Sequence, residues 1–272
     1  MPIVPDSSPL ASDPDSDGGQ TVAETTTSGH QQPLSFAFFA LLTTASIILV
    51  ALAAPVIFNG IVSVINDLGW DAPGFAEGGA ITWYHLLSFQ IATVLLTVLM
   101  AGVARGRGST LGWQSPIGHM SWLQPLLIAI LVSAISTAIA LTFFADIVAR
   151  DLAPIRKMID AAPLWLAFIT LAVGAPLSEE LLFRGYLLHR LMQTRLGFWG
   201  GALIANAGWT MLHFDYSWLS LADVFLAGLL FSWAMWKTRS IWVPIAFHAL
   251  YNATVFVFLL IPSTNTPVPA LS

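Results

Sequence analysis

From Phe36 onward the chain alternates long apolar runs with short polar breaks, whereas residues 1–32 contain no apolar run at all. About 20 helical residues cross the hydrocarbon core of a bilayer. By that measure the pattern predicts spans over 36–58, 80–103, 121–145, 163–188, 199–213, 221–237 and 241–260, with 199–213 short and glycine-rich. The expected fold is therefore all-α, a polytopic transmembrane helical bundle of about seven spans. Gly69, Pro73, Gly74, Gly78 and Gly79 mark one break, the stretch from Arg105 to Gly108 a second, the run around Pro154 a third, and Lys237 to Ser240 a fourth. No repeat of fixed period is visible.

Composition agrees. Hydrophobic residues make up 56% of the chain, charged residues 9%, and the mean hydropathy is +0.76, far from the roughly 25% charge of a soluble domain. The expected localisation is a multi-pass integral membrane protein whose first partner is the bilayer. Residues 1–32 are rich in Ser, Thr, Asp, Gly, Gln and Pro and carry Asp6, Asp13, Asp15, Asp17 and Glu24 with no Lys or Arg, the signature of a disordered acidic tail. Without those five acids the body holds ten acidic and ten basic residues, so it has no basic surface for nucleic acid. The tail also lacks the basic start and early apolar core of a cleaved signal peptide. The absence of cysteine excludes disulfides, thiolate zinc sites and cysteine nucleophiles. The expected organisation is a tail over 1–32, N-terminal membrane helices over 33–159, a second membrane region over 160–260, and a short C-terminal tail over 261–272. Oligomeric state is not legible.

Lys and Arg placement sets the expected orientation. With the N-terminus in the cytoplasm, the inner loops collect Arg105, Arg107, Arg190, Arg195, Lys237 and Arg239, and the outer loop 59–79 carries Asp67, Asp71 and Glu77 with no basic residue. Arg150, Arg156 and Lys157 oppose this unless 146–162 is an interfacial amphipathic element.

Charges inside apolar spans are costly, which makes function their default explanation. Glu179 and Glu180 lie in one such span with Arg184 four residues beyond the second. Glu180 and Arg184 share a helix face and can pair, while Glu179 points about 100 degrees away and is available for chemistry. The competing reading is a purely structural network of the three. His248 and Asn252 are also four apart and present an imidazole and a carboxamide on one face. Taken alone this pair fits interhelical hydrogen bonding, and His213, near Tyr216 and Trp218, fits a membrane interface. His30, His85, His119 and His189 are given no chemical role.

Together, Glu-Glu-Leu-Leu-Phe-Arg (179–184), Trp-Thr-Met-Leu-His (209–213) and His-Ala-Leu-Tyr-Asn (248–252) resemble the CAAX-protease and bacteriocin-processing family of intramembrane proteases, also called the Abi family, which includes the prenyl-protein endopeptidases. The resemblance covers roughly residues 160–256. Trp209 stands where that family usually has Phe, and Gly228 through Pro244 follows the family's glycine, basic turn, proline order. What the resemblance implies is endopeptidase activity on membrane-associated peptides or proteins, lipidated or not. Glu179 would be the general base, His213 would hold the water or act as acid, His248 and Asn252 would stabilise the oxyanion, and Glu180 and Arg184 would hold the arrangement. The family is often described as metalloproteases. Glu179, His213 and His248 are suitable ligand types for Zn2+, so zinc-dependent and metal-free mechanisms both stay open. A non-catalytic scaffold or immunity protein, or a transporter using the polar residues as an ion path, is the competing class; no paired halves of a transporter are visible.

Depth supplies a check. At about 1.5 Å per residue, His248 and Glu179 reach a common level, whereas His213 overshoots it if a full helix begins at Trp199.

Overall fold

The computed structural model describes residues 32–69, 80–103, 111–113 and 123–261. The acidic tail up to residue 31, the C-terminal segment 262–272, and the expected inner-loop Arg105 and Arg107 lie outside the described residues. Among those described, secondary structure is helical throughout apart from one isolated bridge between Gln32 and Thr194. In chain order the helices are α1 (Leu34–Ala51), α2 (Ala54–Asp67), α3 (Ala80–Val103), α4 (Leu123–Phe143), α5 (Ala145–Asp160), α6 (Leu164–Leu191), α7 (Gly197–Thr210), α8 (Trp218–Thr238) and α9 (Trp242–Leu260).

Among the described residues five helical stretches are long and apolar enough to cross a membrane: α1 continuing into α2, then α3, α6, α8 and α9. A sixth arises if the end of α4 and α5 are taken as one span, although they are bent by 108° at Phe144. The expected count of about seven included 199–213, but the helix there has 14 residues and ends at Thr210, too short to span on its own. A 3-10 turn over Met211–His213 follows. His213 thus stands one turn beyond Trp209, in the 3-10 turn that continues the short helix.

α5 is the expected amphipathic element. It carries Asp146, Arg150, Asp151, Arg156, Lys157 and Asp160 and runs across the preceding helix. Its contacts are at one end of the bundle. Trp83 Nε1 donates to the Met158 carbonyl at 2.9 Å, Arg156 donates to the Ile261 carbonyl at 3.0 Å, and Asp151 Oδ2 accepts from the hydroxyls of Ser217 and Ser220, both at 2.6 Å. The opposite end is tied where Ile241 N–H donates to the Gly112 carbonyl at 2.8 Å and Gln32 N–H to the Gln193 carbonyl at 2.9 Å.

α6 is the central helix. More than half of its apolar window is buried inside the protein, against a third or less in the other four spans. Leu181, Leu182, Phe183, Leu187, Leu188 and Leu191 of α6 form the main core with Ala202 and Ala205 of α7, Phe231 of α8 and Phe247 of α9. A second cluster joins Trp83, Ile159, Leu166, Phe256 and Leu259. Elsewhere large apolar side chains such as Phe38, Leu49, Leu95 and Leu131 face outward, as lipid contact requires. α6 is not a uniform α-helix: it winds as a π-helix over Ile169–Gly174 and again over Leu181–Leu188, on either side of the two glutamates. Such turns need support from neighbours and concentrate at functional sites.

Candidate active site

Glu180 and Arg184 are wholly buried. An isolated charge there would be prohibitively costly, so each must be matched at close range. Their four-residue spacing supplies the match: Arg184 Nη1 donates to Glu180 Oε1 at 3.1 Å. The second terminal nitrogen, Nη2, donates to Asn206 Oδ1 of α7 and to the Gly228 carbonyl of α8, both at 3.1 Å. Asn206 is fixed in turn by donating to the Phe225 carbonyl at 2.6 Å. One planar side chain therefore joins three helices, with its face 4.3 Å from the centre of the Trp209 ring. Position 228 admits only glycine, because a β-carbon there would stand 1.7 Å from Asn206 Oδ1 and 2.6 Å from Arg184 Nη2.

α9 joins through His248, whose Nδ1 lies 2.9 Å from the same Glu180 oxygen. An ionised carboxylate only accepts, so Nδ1 carries the hydrogen and Nε2 is turned the other way. The imidazole stacks on Phe231 with ring centres 5.3 Å apart. Nε2 is 4.0 Å from Glu179 Oε2. Glu179 faces away from the buried network, as the helical geometry predicts, and its side chain keeps 22% exposure. Its Oε2 accepts a 2.5 Å hydrogen bond from Trp209 Nε1.

His213 packs edge-on against Trp209 with Nδ1 3.4 Å from that residue's carbonyl. Asn252, one turn past His248, donates through Nδ2 to the Leu171 carbonyl of α6 at 2.9 Å. Glu179, His213, His248 and Asn252 all line one cavity of about 570 Å³, walled on its apolar side by α4 and α5. Glu180 and Arg184 lie behind it and do not line it. All six residues singled out in the sequence are thus brought into one neighbourhood, in two tiers.

Four further residues belong to it. Asn206 is the anchor of Arg184, and a carboxamide in an apolar, glycine-rich helix was the signal for it. Gly228 fell in the recognised glycine-to-proline pattern, but its steric role needs the structure. Trp209 looked like an exchange of one aromatic for another, yet its indole N–H adds a donor to Glu179 that Phe would lack. Tyr216, read as an interface marker, lines the cavity and contacts the His213 ring at 5.5 Å between centres. Burial, with the Glu179 and Asp151 carboxylates nearby, pushes its phenol up to about 12, so it faces the cavity as a neutral hydroxyl.

The metal reading asks for three converging donors. Among the described residues no group of three His, Asp or Glu side chains is arranged to hold a metal ion. Glu179 Oε2 accepts from the Trp209 indole and His248 Nδ1 faces Glu180, so on the cavity side the atoms of these two residues left for a ligand are Glu179 Oε1 and His248 Nε2.

Comparison with known proteins locates this geometry. Residues 161–254 match the family model described as type II CAAX prenyl endopeptidase Rce1-like. The Rce1-like segment contains all six residues and α7 through most of α9. An "Uncharacterized 24.3 kDa protein" of Escherichia coli is 36% identical over 86 residues, 30% of this chain and 39% of that protein. "Putative membrane peptidase YdiL" of Bacillus subtilis (strain 168) is 31% identical over 111 residues, 41% of this chain and 43% of that protein. The chain thus spans about two-fifths of the length of these curated relatives. No solved structure matches it significantly. Over this segment the chain is similar, at family level, to membrane peptidases.

The buried network makes a stability prediction. Arg184→Ala leaves Glu180 unpaired, a loss on the order of 3–5 kcal/mol in soluble proteins, and Gly228→Ala displaces the same guanidinium. Both are expected to lower the melting temperature in detergent well below that of Glu179→Gln, which leaves the ion pair intact and keeps an amide oxygen to accept from Trp209. An Arg184→Ala protein as stable as Glu179→Gln would remove the ion pair from its structural role.

Proposed function

We propose that this protein is an intramembrane endopeptidase of the CAAX-processing type, which hydrolyses peptide bonds of membrane-associated substrates with a water activated by Glu179. The observation that carries the proposal is the division of the two adjacent glutamates. Glu180 is spent on Arg184 and His248, whereas Glu179 opens on the cavity with a single donor, Trp209, on one oxygen.

In this reading the second oxygen of Glu179 takes a proton from a water molecule as the water oxygen attacks the substrate carbonyl carbon. His213, on the same cavity, orients that water. The resulting tetrahedral oxyanion accepts from His248 Nε2–H and from Asn252, which has spent one of its two amide hydrogens on Leu171. Because Nδ1–H faces Glu180, a donating Nε2 means an imidazolium. With that charge, Glu179, Glu180, Arg184 and His248 sum to neutrality. The proton held by Glu179 then passes to the departing amine nitrogen as the C–N bond breaks. Apolar walls from α4 and α5 suit a substrate delivered from the lipid phase, prenylated or bare, and a water-poor cavity strengthens each of these dipoles.

The test is a mass-spectrometric comparison of the membrane peptidome of cells carrying wild-type protein or Glu179→Gln. New C-termini are expected with the wild type alone. Identical peptidomes would leave the fold to a scaffold or immunity role. On a peptide spanning such a cleavage site, Asn252→Ala is expected to lower kcat by about 10² to 10³ with little change in KM, as for loss of an oxyanion donor, and Asn252→Asp to be at least as harmful; near-normal kcat in either returns Asn252 to packing. Turnover is also expected to survive exhaustive chelation by EDTA and phenanthroline, since no step uses a metal. Loss of turnover restored by added zinc would overturn the metal-free mechanism.

A further inference from the structure

Asn252 is held by a carbonyl that α6 cannot satisfy for itself. Over Ile169–Gly174 the helix is π-wound, so each N–H reaches the carbonyl five residues back. Ala175 N–H accordingly serves the Thr170 carbonyl. The next donor in that register belongs to residue 176, a proline, which has none. The Leu171 carbonyl it would have served accepts from Asn252 Nδ2 instead, at 2.9 Å.

The neighbouring carbonyl is gripped from the N-terminal half of the chain. Gln90 of α3 is buried, lines the cavity, and donates from Nε2 to the Thr170 carbonyl at 3.2 Å. Gly174 provides its room: a β-carbon at 174 would stand 2.1 Å from Gln90 Oε1 and 3.0 Å from Gln90 Cδ.

We propose that Gln90 is a positioning residue for Asn252, pinning the π-wound turn of α6 in the register that leaves the Leu171 carbonyl to Asn252, with Gly174 as the slot that admits it. The alternative register shows why a pin is needed. Were the turn to relax to α-winding, Ala175 N–H would serve Leu171 and withdraw the acceptor that aims Asn252, while Pro176 would leave the Ala172 carbonyl unpaired. Gln90, by bonding Thr170 from outside the helix, favours the winding in which Asn252 has its partner. The inference rests on the oxyanion reading of Asn252 and adds the first residue outside the Rce1-like segment to the site.

The test is a double-mutant cycle on the full-length protein in detergent, with a peptide spanning a mapped cleavage site as probe. Gln90→Leu is expected to lower kcat about tenfold with KM nearly unchanged, and Gln90→Glu, which keeps an amide-sized side chain but loses the donor when ionised, to give no rescue. In an Asn252→Ala background Gln90→Leu should cost nothing more. Gly174→Ala pushes aside only the far end of a flexible side chain, so it should reproduce the kcat loss in a folded protein and become neutral in a Gln90→Ala background. A Gln90→Leu enzyme within about twofold of wild type, or a loss that multiplies in full with Asn252→Ala, overturns the proposal. Normal kcat in Asn252→Ala itself overturns the oxyanion reading beneath it, which the single variant reports separately.

Discussion

The buried pair of Glu180 and Arg184 is the constraint on which the rest of the site depends. Neither side chain has any exposure, so the chain must answer both charges with matched geometry or not fold around them. That demand recruits Asn206 from α7, the Gly228 carbonyl from α8 and His248 from α9, and the four helices that carry the candidate site residues are thereby set at fixed spacing. A hydrophobic core alone would not specify this. Apolar side chains slide past one another at little cost in lipid, where packing and interhelical hydrogen bonds decide the arrangement. The catalytic reading follows from the same constraint: once Glu180 is committed, its neighbour is the carboxylate left over, and helix geometry turns it to the cavity.

The π-wound stretches of α6 are the second element of the design. One precedes the glutamates and the other contains Arg184, so the site sits between two departures from regular winding. The first combines with Pro176 to leave a carbonyl open, and Asn252 closes it. Structure and proposed chemistry share that side chain, which explains how an asparagine can look like ordinary interhelical packing from one direction and an oxyanion donor from the other.

Much of this was legible in the sequence, and the limits have physical causes. Apolar run length identified the membrane class and most spans, because bilayer thickness dictates helix length. It overcounted at 199–213, where a glycine-rich run of sufficient apolarity ends early at Thr210, and it set a break around Pro154, which lies inside α5, whereas the chain bends at Phe144, at the end of the expected 121–145 span. The i, i+4 rule paired Glu180 with Arg184 and separated Glu179 from them, since it depends only on helical period. Contacts between distant segments were not legible. Nothing local in the sequence says that Asn206 will meet Arg184, that the Trp209 indole will reach Glu179, or that Gln90 will grip α6 from 80 residues away. Depth reasoning left His213 open because run length alone does not fix where its helix starts and stops; the chain makes a 14-residue helix and then a 3-10 turn.

The central claim, that Glu179 activates water for peptide-bond cleavage within the membrane region, is tested most directly by hydrolysis in H2(18)O with purified protein in lipid nanodiscs. A single turnover is expected to place one heavy oxygen in the new carboxyl terminus of the product, and Glu179→Gln to form no labelled product while remaining folded. Cleavage by Glu179→Gln at a rate near wild type, or a wild-type product without the label, would contradict the account.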